Sequence, residues 1–507
     1  MQKKSKVALV VPSSAKKAYQ DLANKYSAIE PPTWALLIAQ ALRVSGYDPI
    51  IFDYDADPKD DETAAQEIYD EKPVLAVFVL YGQNPNSGTT MMIGAASLAS
   101  TLKSQYADLK IGFVGSHPSA LPQEVIQLPY VDFAFINEGI YALLELLKSD
   151  MKSQLENIPG IWFKENGLPR PSKPGILVPQ QHLDAMMRGY AWDLLPKDKY
   201  VLDKYRAHYW HTNFLDEDRT PFAAIYTSLG CTFGCNFCMI NIVNRTSQDL
   251  AVTSQNSRGM RFWSPEIILA ELEFLANNGV KTLRLSDEMF FLNRKYYEPI
   301  LQGIIDKGFD FNIWAYARVD SVRESKLELF KKAGVNWLCL GIEAGNQNVR
   351  LEIEKGKFKQ VDIRKIVAQI KDAGINILGN YIFGFPDDTI DTMNQTLDLA
   401  MELNCEHTNF YTAMALPGSP LYNFAKQSDW DLPRKFEEFA FLSYECKPLR
   451  TKSLSSEEVL RFRDDAWHKY FTNDSFLSLV ARKFGNEAKD NVLDLAKIKL
   501  RRRILGD

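Results

Sequence analysis

The spacing of apolar residues divides the chain into two alternating runs separated by a polar, proline-rich stretch. In the first run, Val7 to Val11 is β-branched and ends at Pro12. Leu36, Leu37, Ala41 and Val44 then repeat at helical spacing between Pro32, a favoured first helical position, and Gly46, a favoured stop. Ile50 to Phe52 reads as a second strand closing on Asp53. Val74 to Leu80 is continuously apolar, as expected of a parallel strand buried on both faces. Gly88 to Leu102 reads as a helix, Ile111 to Val114 and Val131 to Ile136 as strands, and Ile140 to Leu147 as a closing helix. Five strand–helix units predict an α/β fold over residues 1–150, a Rossmann-like doubly wound parallel sheet. Ligands in such sheets bind at the carboxyl ends of the strands.

Residues 151–215 are rich in proline and polar residues and read as a connector, with a small hairpin at Gly160 to Gly167. The second run predicts strands at 222–228, 281–286, 311–317, 336–342, 376–383 and 407–413. Helices lie between them, among them Pro265 to Ala276 with Ser264 as its cap. Six such repeats over 216–425 are short of the roughly 250 residues of a closed eight-unit barrel, so a partial (β/α)6 TIM-type barrel is expected. Residues 426–507 read as a small helical domain, and its final LysLeuArgArgArg (499–503) as a solvated helix end.

Composition narrows the function. Of 507 residues, 59 are Lys or Arg and 64 are Asp or Glu, so the net charge of −5 gives no general attraction to polyanions. Nucleic acid is therefore not an expected partner. The longest apolar run, Val74 to Tyr81, is less than half a membrane span, and the basic amino-terminal stretch has too short an apolar core for a signal peptide. A cytoplasmic protein with reduced thiols is expected. Six cysteines are too few for a disulfide scaffold.

Three of those cysteines, Cys231, Cys235 and Cys238, fall within eight residues, just after the first strand of the second run. Barrel enzymes place their chemistry at that strand end. Gly230 and Gly234 let the loop wrap one object. Three thiolates are one short of a closed zinc site, which would need a distant His or Cys. An iron–sulfur cluster with three protein ligands instead keeps one iron open for an outside ligand.

CysThrPheGlyCysAsnPheCys (231–238) resembles the CxxxCxΦC signature of radical S-adenosylmethionine (SAM) enzymes, with Phe237 as the aromatic residue. The resemblance implies that the three cysteines hold a 4Fe–4S cluster whose open iron binds SAM, and that one electron cleaves SAM to a 5′-deoxyadenosyl radical. Later segments keep the family's order. Ser286, Asp287 and Glu288 stand at the segment that binds the SAM ammonium, loosely matched because they replace glycines. Arg318 resembles the third-strand arginine that meets the SAM carboxylate or ribose. Glu343, in GlyIleGluAlaGly (341–345), resembles the fourth-strand ribose contact, with Ala344 in place of Ser. Ile382 lies in the segment that packs on adenine, and LeuProGlySerPro (416–420) resembles the sixth-strand closing segment.

Residues 1–150 resemble the cobalamin-binding domain that precedes the barrel in one radical SAM subgroup. The resemblance rests on ProProThrTrpAlaLeuLeuIleAlaGlnAlaLeu (31–42), ValGlySerHisProSer (114–119) and AsnGluGly (137–139). It implies cobalamin contacts from Gly115, Ser116, His117, Glu138 and Gly139. The D-x-H-x-x-G motif that supplies a lower cobalt ligand is absent, so His would not be that ligand. His117 is then a loop residue near the cobalamin tail. The HxxH pair His208 and His211 is read as interdomain packing, and Cys339, Cys405 and Cys446 as structural.

These resemblances imply a cobalamin-dependent radical SAM enzyme that methylates an unactivated carbon. One SAM methylates the cobalamin and a second supplies the radical. A non-methylating reaction such as oxidative cyclisation of a porphyrin ester, or a rearrangement, stands as the alternative. A non-catalytic iron–sulfur or cobalamin sensor is the alternative of another class. A small-molecule substrate is expected, with a reductant such as flavodoxin or ferredoxin, and the segment Met239 to Arg261 together with the last 80 residues as the substrate lid.

Overall fold

The computed structural model describes residues 5–353 and 361–507, so the first four residues of the basic amino-terminal stretch lie outside it. The amino-terminal unit is built on β1 (Lys6–Val11), β2 (Asp48–Asp53), β3 (Leu75–Leu80), β4 (Ile111–Gly115) and β5 (Phe133–Phe135). These pair in parallel in the order β2-β1-β3-β4-β5. Every residue of β3 is buried, because helices cover both faces of the sheet. One of them, Thr33–Val44, carries Trp34, whose ring stacks on Tyr81 at 4.3 Å. The doubly wound sheet is the one the apolar runs predict.

The connector is more ordered than its composition suggests. Its hairpin, β6 (Ile161–Glu165) and β7 (Leu168–Pro171), lies a few residues later than expected and adds antiparallel to β5, extending the sheet to seven strands. Further along, Arg206 donates to the carbonyls of Ala23, Asn24 and Ser27, and Tyr205 to Asp53 at 2.8 Å. His208 meets Glu30 of the amino-terminal unit at 3.2 Å, and His211 meets the Asn312 carbonyl at 3.0 Å. Between them Trp210 packs against Trp314, Trp337 and His407, near the start of three barrel strands.

The second sheet contains β8 (Phe222–Ile225), β11 (Thr282–Leu285), β12 (Asn312–Arg318), β13 (Val335–Glu343), β14 (Asn376–Phe383) and β15 (His407–Thr412), all parallel and in chain order. It is an open half-barrel, as six repeats predict. The first predicted strand divides in two, however. β8 stops at Ile225, and Ser228–Cys231 forms a separate strand, β9, antiparallel to β10 (Gly259–Phe262). The stretch from Met239 to Arg261 is thus not an open lid. It makes two 3-10 turns and returns as β10, with Arg245 fully buried against the amino-terminal unit.

Helices Ser456–Phe471, Asp474–Phe484 and Asn486–Ala496 form the carboxyl-terminal unit. The first covers the β15 edge, with Arg463 donating to Phe410 O and Tyr470 to Cys405 O. The final basic run is not a solvated helix end. Arg502 is fully buried, bound to Asp464 and to the carbonyls of Phe441 and Ser443, because three ordered acceptors outweigh its desolvation. Among the described residues no helix is long and apolar enough to cross a membrane.

Candidate active site

The carboxyl ends of both parallel sheets open onto one cavity of about 1350 Å³. Pockets for a single drug-sized molecule span roughly 300–1,000 Å³, so this one has room for more than one ligand. Its barrel wall includes Cys231, Cys235, Phe237, Cys238, Glu288, Arg318, Glu343 and Ile382. Its amino-terminal wall includes Tyr19 and Tyr26, the loop after β3 through Gln83, Asn84, Asn86 and Ser87, and Thr90 of the helix that follows.

The cysteine loop is held by backbone. Gly230 has φ +87°, and a Cβ there would lie 2.2 Å from the Gly259 carbonyl, so the β9–β10 pairing needs glycine. Asn241 accepts from Cys231 N at 2.8 Å and donates to Phe233 O at 3.0 Å, closing the loop's base. The Phe233 and Ile240 amides donate to Cys231 Sγ and Cys238 Sγ at 3.4 and 3.5 Å. Gly234 does not have a positive φ. None of the six cysteines is disulfide-bonded.

Among the described residues no three His, Cys, Asp or Glu side chains converge on a single-ion site. Each thiolate of a cubane takes a different iron, so a cluster does not require that convergence. Three partly exposed thiols on one wall, two of them met by backbone N–H groups, are a donor set that suits a cluster.

The other barrel residues divide into two groups. Glu288 reaches the cavity, and burial followed by the nearby Asp287 charge pushes its carboxyl up to about 8, against the pull of Arg284. Arg318 is gripped by Asp320 at 2.8–2.9 Å and lies 3.9 Å over the Phe233 ring, which fixes it beside the cysteine loop. Glu343 has φ +66° at a register shift between β13 and β14, which turns the chain at the cavity edge. Phe237, Ile382 and Phe385 pack in one apolar cluster. Asp287 and Ser286 do not line the cavity. Asp287 is fully buried and accepts from Thr227 N, Thr227 Oγ1 and Ser228 Oγ, clamping the start of β9. Ser286 N donates to Ile225 O.

The five amino-terminal motif residues are packed and none lines the cavity. Ser116 Oγ donates to Pro85 O, and His117 Nδ1 meets Thr89 Oγ1 at 3.0 Å. Burial lowers the His117 imidazole to about 4, so it is neutral. Glu138 pairs with Arg261 of β10 and accepts from Val178 N. A Cβ on Gly115 would lie 2.3 Å from Leu80 O, and one on Gly139 2.7 Å from Val114. These residues hold the loop after β3 and the barrel contact in place. The polar face toward the cavity is the loop itself, whose amides and hydroxyls suit the amide-fringed edge of a corrin.

Sequence reasoning missed that loop. It also missed Arg284, which is buried on β11, lines the cavity, pairs with Glu30 and lies 4.7 Å over Trp314. A charged residue between apolar neighbours in LeuArgLeu (283–285) was the available signal. Cys339, read as core, does lie in the core cluster and also borders the cavity, its sulfur accepting from Asn380 Nδ2 at 2.9 Å.

Residues 225–400 match the radical SAM superfamily and residues 19–147 the B12 binding domain. The chain is 26% identical over 392 residues to an uncharacterized methyltransferase of Pyrococcus horikoshii, covering 77% of this chain and 78% of that one. It is 23% identical over 460 residues to the anaerobic magnesium-protoporphyrin IX monomethyl ester cyclase of Rubrivivax gelatinosus, covering 88% and 75%. Its fold is similar to that of the radical SAM methyltransferase TsrM from Kitasatospora setae, solved with cobalamin and a 4Fe–4S cluster. That match has a TM-score of 0.68 at 15% identity over 98% of this chain and 99% of that one. The cobalamin-dependent radical enzyme OxsB matches with a TM-score of 0.66 at 14% identity over 97% and 72%. A cysteine loop and a B12-type sheet facing one cavity thus agree with both domain matches, and the chain is an enzyme of the cobalamin-dependent radical SAM family, with a 4Fe–4S cluster, SAM and cobalamin as its cofactors.

Proposed function

We propose that this enzyme methylates an unactivated carbon of a small-molecule substrate. The observation that supports it is the shared cavity: the cysteine wall and the loop after β3 face the same space, so a radical source and a methyl donor would be within reach of one substrate. When bound, the cofactors supply a 5′-deoxyadenosyl radical and a transferable methyl group.

The protein's part is position and exclusion. Cys231, Cys235 and Cys238 would hold the cluster. Glu288 offers a carboxyl group that a bound SAM ammonium would ionise, and Arg318, held by Asp320 beside the cysteine loop, stands at the SAM carboxylate or ribose position. Glu343 stands at the ribose position, and Phe237 and Ile382 give an apolar surface for adenine. Gln83 and Asn84 would meet the corrin edge, with Gly115, Ser116, His117, Glu138 and Gly139 as the packed support beneath. The aromatic wall, including Trp210, Trp314 and Tyr411, and the terminal segment Lys497 to Leu500 keep water from the radical. The carboxyl-terminal unit thus keeps the lid role that the 239–261 stretch loses. A cytoplasmic setting with a flavodoxin or ferredoxin as electron donor completes the reading.

A cyclisation is the second reading, favoured by the extent of the match to the Rubrivivax cyclase. Anaerobic protein loaded with cobalamin should hold about four iron per chain and bound cobalt. With reductant and SAM it should form 5′-deoxyadenosine and S-adenosylhomocysteine. Cys235→Ala should lose the deoxyadenosine. Deoxyadenosine without S-adenosylhomocysteine would overturn methyl transfer and leave the radical chemistry standing.

A further inference from the structure

Asn86 crosses from the amino-terminal unit to the cysteine loop. It sits in the loop after β3, where Asn84 Oδ1 accepts from Asn86 N at 3.0 Å and fixes its backbone. Asn86 Oδ1 accepts from Met239 N at 3.0 Å, and Asn86 Nδ2 points at Cys238 Sγ at 3.8 Å. The first bond orients the amide, so the second group presents N–H to the sulfur. Asn86 is thus a residue outside the barrel with both ends of its side chain committed to the segment Cys238–Met239.

A hydrogen bond to a cluster sulfur stabilises the more negative, reduced cluster and raises its potential. Resting on the cluster assignment above, we propose that Asn86 is a positioning residue that makes the cluster easier to reduce when the amino-terminal unit is seated. One-electron reduction, and with it SAM cleavage, then depends on a contact that the amino-terminal unit supplies to the cysteine loop. An amide suits this role because it donates to the sulfur without adding a charge to the site.

The test is an EPR-monitored redox titration of the full-length, cobalamin-loaded protein, with iron content measured on the same samples. Asn86→Leu removes both bonds at similar volume. Asn86→Asp keeps an acceptor for Met239 N but has no N–H to donate, and its added charge can only lower the potential further, so an unshifted value there is decisive. Both variants are expected to keep their iron and shift to a more negative midpoint potential. A wild-type potential in Asn86→Asp overturns the proposal, since the lost donor and the added charge would both lower it. A drop in Asn86→Leu alone assigns the effect to loop position and overturns it too. Wild-type protein that holds no iron would instead overturn the cluster assignment beneath.

Discussion

Glu30 and Arg284 are 254 positions apart and form a buried ion pair, 5% and 1% exposed, that joins the amino-terminal unit to the inside of the half-barrel. Burial alone would raise the Glu30 carboxyl, but Arg284 and then His208 hold it below its usual range. The pair also shapes the cavity wall, since Arg284 donates to Tyr316 OH at 3.3 Å.

Removing one partner leaves a buried charge alone, at about 3–5 kcal/mol. Glu30→Gln and Arg284→Met should each lower stability by that order, and the double variant by less than the sum. Denaturant unfolding of the four proteins measures this. Because the folded Glu30 is held low, its contribution is present above the unfolded carboxylate value and is lost as pH falls through the folded one. Additive losses would show that the pair is not a unit.

Glu288 behaves in the opposite sense. Its folded carboxyl is raised to about 8. Stability is therefore fully present below the unfolded value and falls as pH rises toward 8, because the unfolded chain ionises first. Glu288→Gln should stabilise the cofactor-free protein at pH 8 by about 2–4 kcal/mol while weakening SAM binding. Thermal unfolding at pH 5 and 8, beside equilibrium dialysis with SAM, checks both. An unchanged SAM affinity would remove Glu288 from the ammonium site.

Gly230→Ala places a methyl group 2.2 Å from the Gly259 carbonyl in a backbone conformation that alanine resists. A strain of about 1–3 kcal/mol should fall on the cysteine loop alone. The expected outcome is a folded protein with near-normal circular dichroism and much reduced iron after anaerobic reconstitution. Normal iron would mean that the β9–β10 pairing does not set the loop.

His117 is neutral in the folded protein, lowered to about 4 by burial. A depressed value means that its contribution holds above the unfolded value of about 6.5 and is lost as pH falls toward 4. His117→Gln should flatten the acid limb of the stability profile by about 2–3 kcal/mol. An identical limb in the variant would show that the histidine is not what acid attacks.

The regular parts of both sheets were legible because parallel strands covered on both faces must be apolar throughout, as Leu75 to Leu80 are. The cysteine loop was legible because its chemistry requires three thiols at short spacing. What stayed hidden depends on long-range partners. Nothing local in ThrSerLeuGlyCys (227–231) says that Ser228 leaves the barrel sheet to pair with Phe262. Nothing local in the amino-terminal motifs says that Gly115 and Gly139 sit tight against Leu80 and Val114, or that His117 and Glu138 turn to Thr89 and Arg261. Asp287 looked like a ligand for SAM because carboxylates attract cations, yet its three hydrogen-bond donors are Thr227 and Ser228. Arg502 read as solvated because a basic run usually is, while its acceptors lie 38 to 61 positions upstream.

Arg245 belongs to the barrel loop, yet its guanidinium reaches the Ser119 carbonyl of the amino-terminal unit while also holding Ser247 O and Asp249 O. Asn137 answers in the other direction, donating to Arg245 O. A cation so enclosed has no water to return to if the partner unit departs. The two halves are therefore interdependent in folding. A gene fragment that ends at the connector should yield insoluble or molten protein, and calorimetry of the whole chain should show one transition where two modules would give two. An exchange of the cofactor unit with that of a relative would therefore have to preserve the Ser119 carbonyl and the Asn137 amide that this arginine meets.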